Sequence, residues 1–572
     1  MIGPDIEKAI RKYAIKNAMD YGKANEKSVL GKVLSGFPGA RSDMKALTAS
    51  IERVVAEVNA MERQALENEY SRHESEFEAF EKKKAEESIP KFVLEGAVKG
   101  NFATRYAPAP NGYMHIGHIK AALMAREFAT IYEGKIFLYF DDTNPEKDRQ
   151  EYVDEMKKDL KWAGIKFDDE YYASDNIDAV YDGARKLIRS GNAYVCECGA
   201  EKISKERYEG RECEHRSRPQ DENAALFERM VDGELGEGQA ILRFRGDMLA
   251  KNTTLRDPVI IRIKKQEHYR QGKKYSAWPT YDLNTPIMDS VHGVTDVIRS
   301  KEFELRDELA AMILGALGLR KPKIHSEARL VITNNVTHKR ELNELISGGE
   351  LMGWDDPRLV TVSALRRRGI VPEAIWKFVL RFGMSKTDSK VNLSMLLSEN
   401  RKVIDPTAKR LFYAENPVLL RIKEGRAKQV ALRVHPSSEI GNRRYEIKDE
   451  LFISAKDAAA LKVGSVVRLK DLFDVKILGT GREITAEETH DSEHLGIIQW
   501  IPGEDYVECS VMIPGDPVGK EGKFLKGSMG SSGGYVEGYA RQLLEHEIVQ
   551  FERFGFCILD GKENMQFIFI SR

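Results

Sequence analysis

The residues best able to do chemistry crowd into one segment, TRYAPAPNGYMHIGH, in which His115 and His118 are separated by Ile116 and Gly117. A strand-like stretch through Phe102 and Tyr106 precedes the turn APAPNG, and an amphipathic helix runs from about His115 to Tyr132, with Gly134 as its stop. The histidines therefore sit where a strand turn becomes a helix. Free N–H groups and the positive end of the helix dipole favour a phosphate there, two imidazoles can donate to its oxygens, and Gly117 leaves room for a flat base. Together they predict a nucleotide cradle. Two histidines near a helix start are by themselves more often surface or capping residues, and it is the strand, turn and helix around this pair that single it out.

A second constellation is CEC followed by ECEH, which supplies Cys196, Cys198, Cys213 and His215 as two close pairs separated by a loop. Four soft or borderline ligands suit a closed, structural tetrahedral Zn²⁺, with free thiols as the other reading. Five cysteines so unevenly placed do not make a disulfide framework. The cluster LRRRG (Arg366, Arg367, Arg368) is cationic, and a solvated helix face is at least as good a reading of it as a phosphate contact.

The elements that must position these residues follow from a pass along the 572 residues, a length that implies several domains. Acidic and basic residues nearly balance at 90 and 89, so any nucleic-acid contact must rest on local patches. No apolar run is long enough to span a bilayer and no basic-then-apolar secretory start is seen, which makes the cytosol the expected location. The first ninety or so residues read as helical, with Ile6, Ile10, Tyr13 and Asn17 at helix spacing and a charged pattern from Leu47 to Glu87. Within it FEAFEKKKAEES reads as a solvated helix face.

From Ala97 a strand, helix, strand unit ending in KIFLYF implies a parallel sheet, whose ligands sit beyond the carboxyl ends of the strands. An insertion from about Ala193 to Trp278 interrupts it. The sheet resumes at Tyr281, a helical stretch runs from Lys339 to about Asn400, and short strands beyond Asp405 suggest β-barrels. The Gly/Ser-rich KGSMGSSGG reads as a mobile loop.

Further segments then match in order: FDDTNPE, LRDPVIIRI, TYDL, GWDDPR, LRRRG and FERFGF. With the HIGH signature and its upstream Arg, Pro and Asn-Gly, they resemble the glutamyl/glutaminyl group of class I aminoacyl-tRNA synthetases from about residue 97 to the C-terminus. The helical extension and barrel-type tail are similar to the archaeal members. The resemblance implies a multidomain architecture. Its expected parts are a helical N-terminal domain (1–95), a Rossmann-like α/β catalytic domain in two halves (96–192 and 279–338) and an inserted acceptor-stem-binding domain with the zinc site (193–278). A helical stem-contact domain (339–404) and β-barrel anticodon-binding domains (405–572) complete it.

The resemblance also implies roles. Pro108, Asn111, Gly112, His115, Gly117, His118 and Lys339 would bind ATP with Mg²⁺, and His115, His118, Lys339 and Arg340 would act in catalysis. Arg105, Asp141, Tyr281 and Arg299 would bind the amino acid, and Arg366, Arg367 and Arg368 would touch tRNA. The second class I signature falls on VTHKREL, where Lys339, Arg340 and Leu342 fit the V-M-S-K-R-K-L pattern while Thr337, His338 and Glu341 depart from it.

Arg299 stands where glutaminyl enzymes carry a small neutral residue, and Ile324 where they carry glutamine. A guanidinium fork suits a γ-carboxylate, whereas pairing with Asp296 or Glu302 on a helix surface is the alternative. The expected activity is ATP-dependent ligation of L-glutamate to tRNA(Glu), with tRNA(Gln) as a further acceptor left open. A glutaminyl enzyme and a tRNA-binding paralogue that no longer activates an amino acid are the competing readings.

Overall fold

The computed structural model describes residues 3–37, 40, 43–62, 65, 66, 69, 70, 93–423, 428–490 and 496–572. The chain divides into two compact units, Met1–Pro90 and Lys91–Arg572. The charged run FEAFEKKKAEES lies outside the described residues.

In the first unit three helices, Pro4–Tyr21, Glu26–Gly36 and Met44–Asn59, bury Ile10, Ala14, Val29, Val33, Leu47, Ile51 and Val55 against one another. Their ends are set by local chemistry: Gly22 closes the first in the left-handed region, and Asn25 and Asp43 cap the next two by accepting from Ser28 and Ala46 N–H.

The second unit is organised by a parallel sheet. Strand Ala103–Tyr106 pairs with Lys135–Phe140, which pairs in turn with Asp169–Tyr172. On its other side Thr295 N–H donates to Ala103 O at 2.8 Å, and the strand that follows, Asp296–Ser300, pairs in parallel with Lys323–Glu327. Parallel neighbours need crossovers, and helix Ile116–Ile131 supplies the first, burying Ile119, Leu123, Met124 and Phe128 on the sheet. Every carboxyl end thus faces one edge, where such folds bind ligands. The expected insertion is a four-stranded antiparallel sheet, Ala193–Cys196, Ile241–Phe244, Val259–Ile263 and Ala277–Pro279. Helices Lys339–Ser347, Val362–Arg367, Pro372–Leu380 and Leu393–Ile404 follow.

The C-terminal part forms two curled sheets of seven described strands each. One corrects the sequence reading: Lys526–Gly534 is not a free loop. Strand Met529–Glu537 pairs antiparallel with Tyr506–Pro514 along its full length, and its far end pairs with Tyr413–Glu415. Small residues are required there because a Cβ on Gly534 would lie 2.4 Å from Ala414 O and 2.6 Å from the Tyr413 ring. Composition suggested mobility, whereas close approach of a neighbouring backbone is the cause.

This difference can be measured. Gly534→Ala is expected to loosen the sheet by about 1–3 kcal/mol through overpacking, while Gly533→Ala, whose Cβ meets nothing within 4 Å, should stay within about 0.5 kcal/mol of the parent. Amide exchange across Tyr506–Pro514 reads both without requiring the whole chain to unfold in one step. Equal, small effects would return the segment to a loop.

Candidate active site and metal centre

At the sheet edge lies a cavity of about 490 Å³ lined by Arg105, Pro108, Asn111, Gly112, His115, His118, Asp141, Tyr281, Arg299 and Lys339. The structure therefore brings most of the expected site residues together. His115 is the N-cap of helix Ile116–Ile131: its Nδ1 accepts from Gly117 N–H at 3.0 Å, and its own N–H donates to His118 Nδ1 at 3.2 Å. This is a reciprocal capping box made of two imidazoles, stacked with centroids 3.9 Å apart. Because both Nδ1 atoms accept, the proton of each neutral ring belongs on Nε2, which becomes its donor.

Both rings are pushed below the ordinary histidine value by desolvation, His115 to about 4 and His118 to about 3, with His115 adding repulsion to the latter. They are thus neutral N–H donors near pH 7. Gly117 has a nearer reason than room for a base, since a Cβ there would lie 2.9 Å from the His115 ring.

The cavity floor is charged. Arg105, buried at the end of the first strand, donates from Nε and Nη2 to the two Asp289 oxygens at 2.9 and 3.1 Å, and its Nη1 has no bond among the described residues. Asp141 accepts from Asn284 Nδ2 at 3.0 Å, and burial raises its carboxyl to about 6 against the pull of Thr143 and Arg105. Arg299 lies on a buried strand, not a helix surface. It donates to Tyr281 Oη at 2.8 Å and pairs with Asp307, and its Nε is buried without a partner. Ile324, opposite Val297 on the adjoining strand, backs Arg299 in a separate small cleft.

The sequence reading missed Asp289, Asp307 and Asn284. The available signal was a pair of acids, Asp282 and Asp289, two turns apart on one face of a mostly apolar helix.

Lys339 opens helix Lys339–Ser347 and reaches across the cavity mouth to the Asn111 carbonyl, with Nζ 4.6 Å from the Tyr152 ring centre. Desolvation lowers its proton affinity. Arg340 does not join it: its side chain is 93% exposed and pairs with Glu344 one turn on.

The segment around Lys339 is clasped from afar by the hairpin tip 515–528 of the C-terminal sheet. Val518 N–H donates to Asn334 O (3.3 Å), Asn334 Nδ2 to Asp516 (3.0 Å) and Arg358 Nη1 to Ser528 Oγ (3.2 Å). Val518 and Phe524 also pack on Val336, Leu342 and Leu351. Trp354 of GWDDPR stacks on Tyr113 at 4.8 Å and closes the cavity wall.

The three arginines of LRRRG are a correction. Arg366 donates to the buried Asp159 at 3.1 Å, Arg367 holds Asp560 at 2.8 and 2.9 Å and Asp355 at 3.2 Å, and Arg368 is buried against the Pro357 and Ile570 carbonyls. They tie this helix to its neighbours. A depression of about 570 Å³ borders Arg366 and Arg367.

In the insertion, the ligand atoms of Cys196, Cys198, Cys213 and His215 all lie within 4.8 Å of one another. Cys196 and Cys213 sulfurs are 3.7 Å apart, and His215 Nδ1 is 3.4 and 4.0 Å from Cys198 and Cys213 Sγ. Metal–sulfur bonds of ~2.3 Å and metal–nitrogen bonds of ~2.0 Å in a tetrahedron demand edges of about 3.8 and 3.6 Å. The donor set therefore fits a tetrahedral ion.

Comparison with known proteins agrees with this architecture. The profile for the catalytic domain of class I (E and Q) tRNA synthetases matches residues 101–406, and two for their anticodon-binding domain match 408–491 and 497–560. The chain belongs to the class I tRNA synthetases of this glutamyl and glutaminyl group, enzymes that use ATP. It is 40% identical to the glutamate–tRNA ligase of Nitrosopumilus maritimus over 98% of this chain and 99% of that one. Against those of Cenarchaeum symbiosum and Korarchaeum cryptofilum it is 38% and 36% identical, covering 97% and 99% of both chains respectively.

The floor of the cavity yields a stability prediction. Asp289→Ala strands the buried Arg105 charge and is expected to cost about 3–5 kcal/mol, much of which the double change Arg105→Met with Asp289→Leu should restore. Denaturant unfolding of the single and double variants decides it, and additive losses would refute the pairing.

Proposed function

We propose that this chain is a glutamate–tRNA ligase, which activates L-glutamate with ATP and passes it to the 3′ end of tRNA(Glu) in the cytosol. The observation that carries the reading is the charge on the cavity floor. Two guanidiniums, Arg105 and Arg299, and one carboxylate, Asp141, face a common space. Glutamate presents the complement, two carboxylates and one ammonium. Arg299 answers the γ-carboxylate and Arg105 the α-carboxylate, while Asp141, helped into its anionic form by the arriving cation, holds the ammonium. Glutamine would set a neutral amide before Arg299. That favours glutamate over the glutaminyl alternative. All three relatives compared are named glutamate–tRNA ligase.

In the first step an α-carboxylate oxygen attacks the α-phosphorus of ATP, and the bond to the β-phosphate oxygen breaks to release pyrophosphate. Bound Mg²⁺ would neutralise the triphosphate. His115 and His118 offer Nε2–H donors to the phosphates, and Lys339 supplies a cation at the cavity mouth that must leave Asn111 to follow the developing charge. A ribose hydroxyl of the tRNA terminus then takes the acyl group and AMP departs. The machinery positions and stabilises charge, and no covalent nucleophile is needed. Retention of His115, His118, Lys339, Arg105 and Asp141 in one cavity supports activation over a merely tRNA-binding role.

The insertion 193–278 would grip the acceptor end, with Cys196, Cys198, Cys213 and His215 holding a structural Zn²⁺. Residues 405–572 would bind the anticodon. Arg366 and Arg367, already bonded within the protein, support the helical region 339–404 chiefly by fixing it, so the tRNA contacts there come from other residues.

Two experiments test the reading. Pyrophosphate exchange with tRNA present should fall by orders of magnitude in Lys339→Ala and change little in Arg340→Ala, and equal losses would remove the distinction drawn between these neighbours. For amino-acid choice, Arg299→Ala should lose about 2 to 5 kcal/mol in kcat/KM for glutamate and much less for glutamine. Better charging of glutamine than glutamate by the parent protein would transfer the assignment to the glutaminyl enzymes.

A further inference from the structure

Beside the cysteine cluster lies a cation with no sufficient partner inside the protein. Arg243, on the strand next to that of Cys196, is 0% exposed. Its Nε donates to the Asp257 carbonyl at 2.9 Å, its Nη1 to Cys196 Sγ at 3.8 Å, and its Nη2 is buried without a partner.

The nearby carboxylate is already engaged. Asp257 accepts from Arg216 Nε at 2.9 Å, Tyr194 Oη at 2.8 Å and Gly246 N–H at 2.8 Å. Matching Asp257 to Arg216 leaves Arg243 as one uncompensated buried charge. Arg207 does not offset it, for that guanidinium is itself a cation bonded to the Arg256 and Thr253 carbonyls. An isolated charge so placed is heavily penalised.

Three thiolates and a neutral imidazole around a divalent ion carry one net negative charge. We propose that Arg243 is the countercharge of the metal centre, a positioning residue that touches Cys196 and holds the ion in place without ligating it. The inference rests on the reading of the four ligands as a Zn²⁺ site and goes beyond it. Neutrality is reached only when the metal is present: with ligands protonated and the ion gone, Arg243 has nothing to answer it. The guanidinium then destabilises the metal-free insertion and stabilises the loaded one. An arginine serving only to fill space would act alike on both.

The test uses the full-length protein, with zinc affinity and release measured by competition against a chromophoric chelator. Arg243→Met is expected to weaken zinc binding about 10- to 100-fold, the usual effect of removing a group that supports a metal ligand. Arg243→Gln, which keeps donors but no charge, should lose nearly as much, whereas Arg243→Lys should stay near the parent. The glutamine variant carries the test if the methionine variant does not fold. Affinity unchanged within about twofold in the neutral variants, or a lysine variant as weak as glutamine, overturns the proposal and leaves the zinc site standing. A parent protein that takes up no zinc overturns both.

Discussion

A guanidinium taken out of water must meet an anion, and much of this fold is arranged around that requirement. Arg105 is answered by Asp289, Arg299 by Asp307, Arg358 by Asp356 and Arg443 by Glu537. In each pair the arginine joins elements or segments that the chain must bring together, so the pairs fix relative placement as well as neutralising charge. The pairing between Arg105 and Asp289 matters most. It sets the end of the first parallel strand against the helix that begins at Tyr281, and Asn284 on that helix holds Asp141. Desolvation makes such pairs modest as net stabilisers, yet removing one member is severe, which gives the cavity floor its rigidity.

The phosphate end is built by a different economy. Two histidines satisfy the first free N–H groups of their own helix through Nδ1 and are left with Nε2–H to offer a ligand. Capping and binding are thus two uses of the same rings. Lys339 instead gains its place through contacts with a sheet far along the chain, where Val518 and Phe524 pack around its helix. Rigid donors and a seated but displaceable cation suit a reaction in which charge moves along a triphosphate.

How much of this was legible depended on how local the cause was. The strand, turn and helix from Ala103 to Ile131 could be read because apolar periodicity and the turn residues lie within one short stretch, and the zinc ligands because spacing alone groups them. Asp289 could not be assigned, since its partner lies 184 residues away and an acid on a helix has many ordinary uses. Lys526–Gly534 was misread because glycine and serine serve equally a free loop and a strand pressed against Tyr413. The arginines of LRRRG were misread for a related reason, as the side chain that suits an RNA phosphate also suits the buried carboxylates of Asp159 and Asp560. Resemblance found the cavity, but the partners that hold its residues in position required the fold.

The clasp on the lysine helix has a consequence for the order in which the protein comes into being. Asn334 and its partner Asp516 are separated by 182 residues. At ~5–20 residues per second, a ribosome needs about 10 to 40 seconds to make the intervening chain. Throughout that interval a nascent chain can fold its parallel sheet and form the histidine cap while the lysine helix has nothing to seat it. Activity therefore waits for the last sheet, and a chain cut short before it would leave an unfinished catalyst.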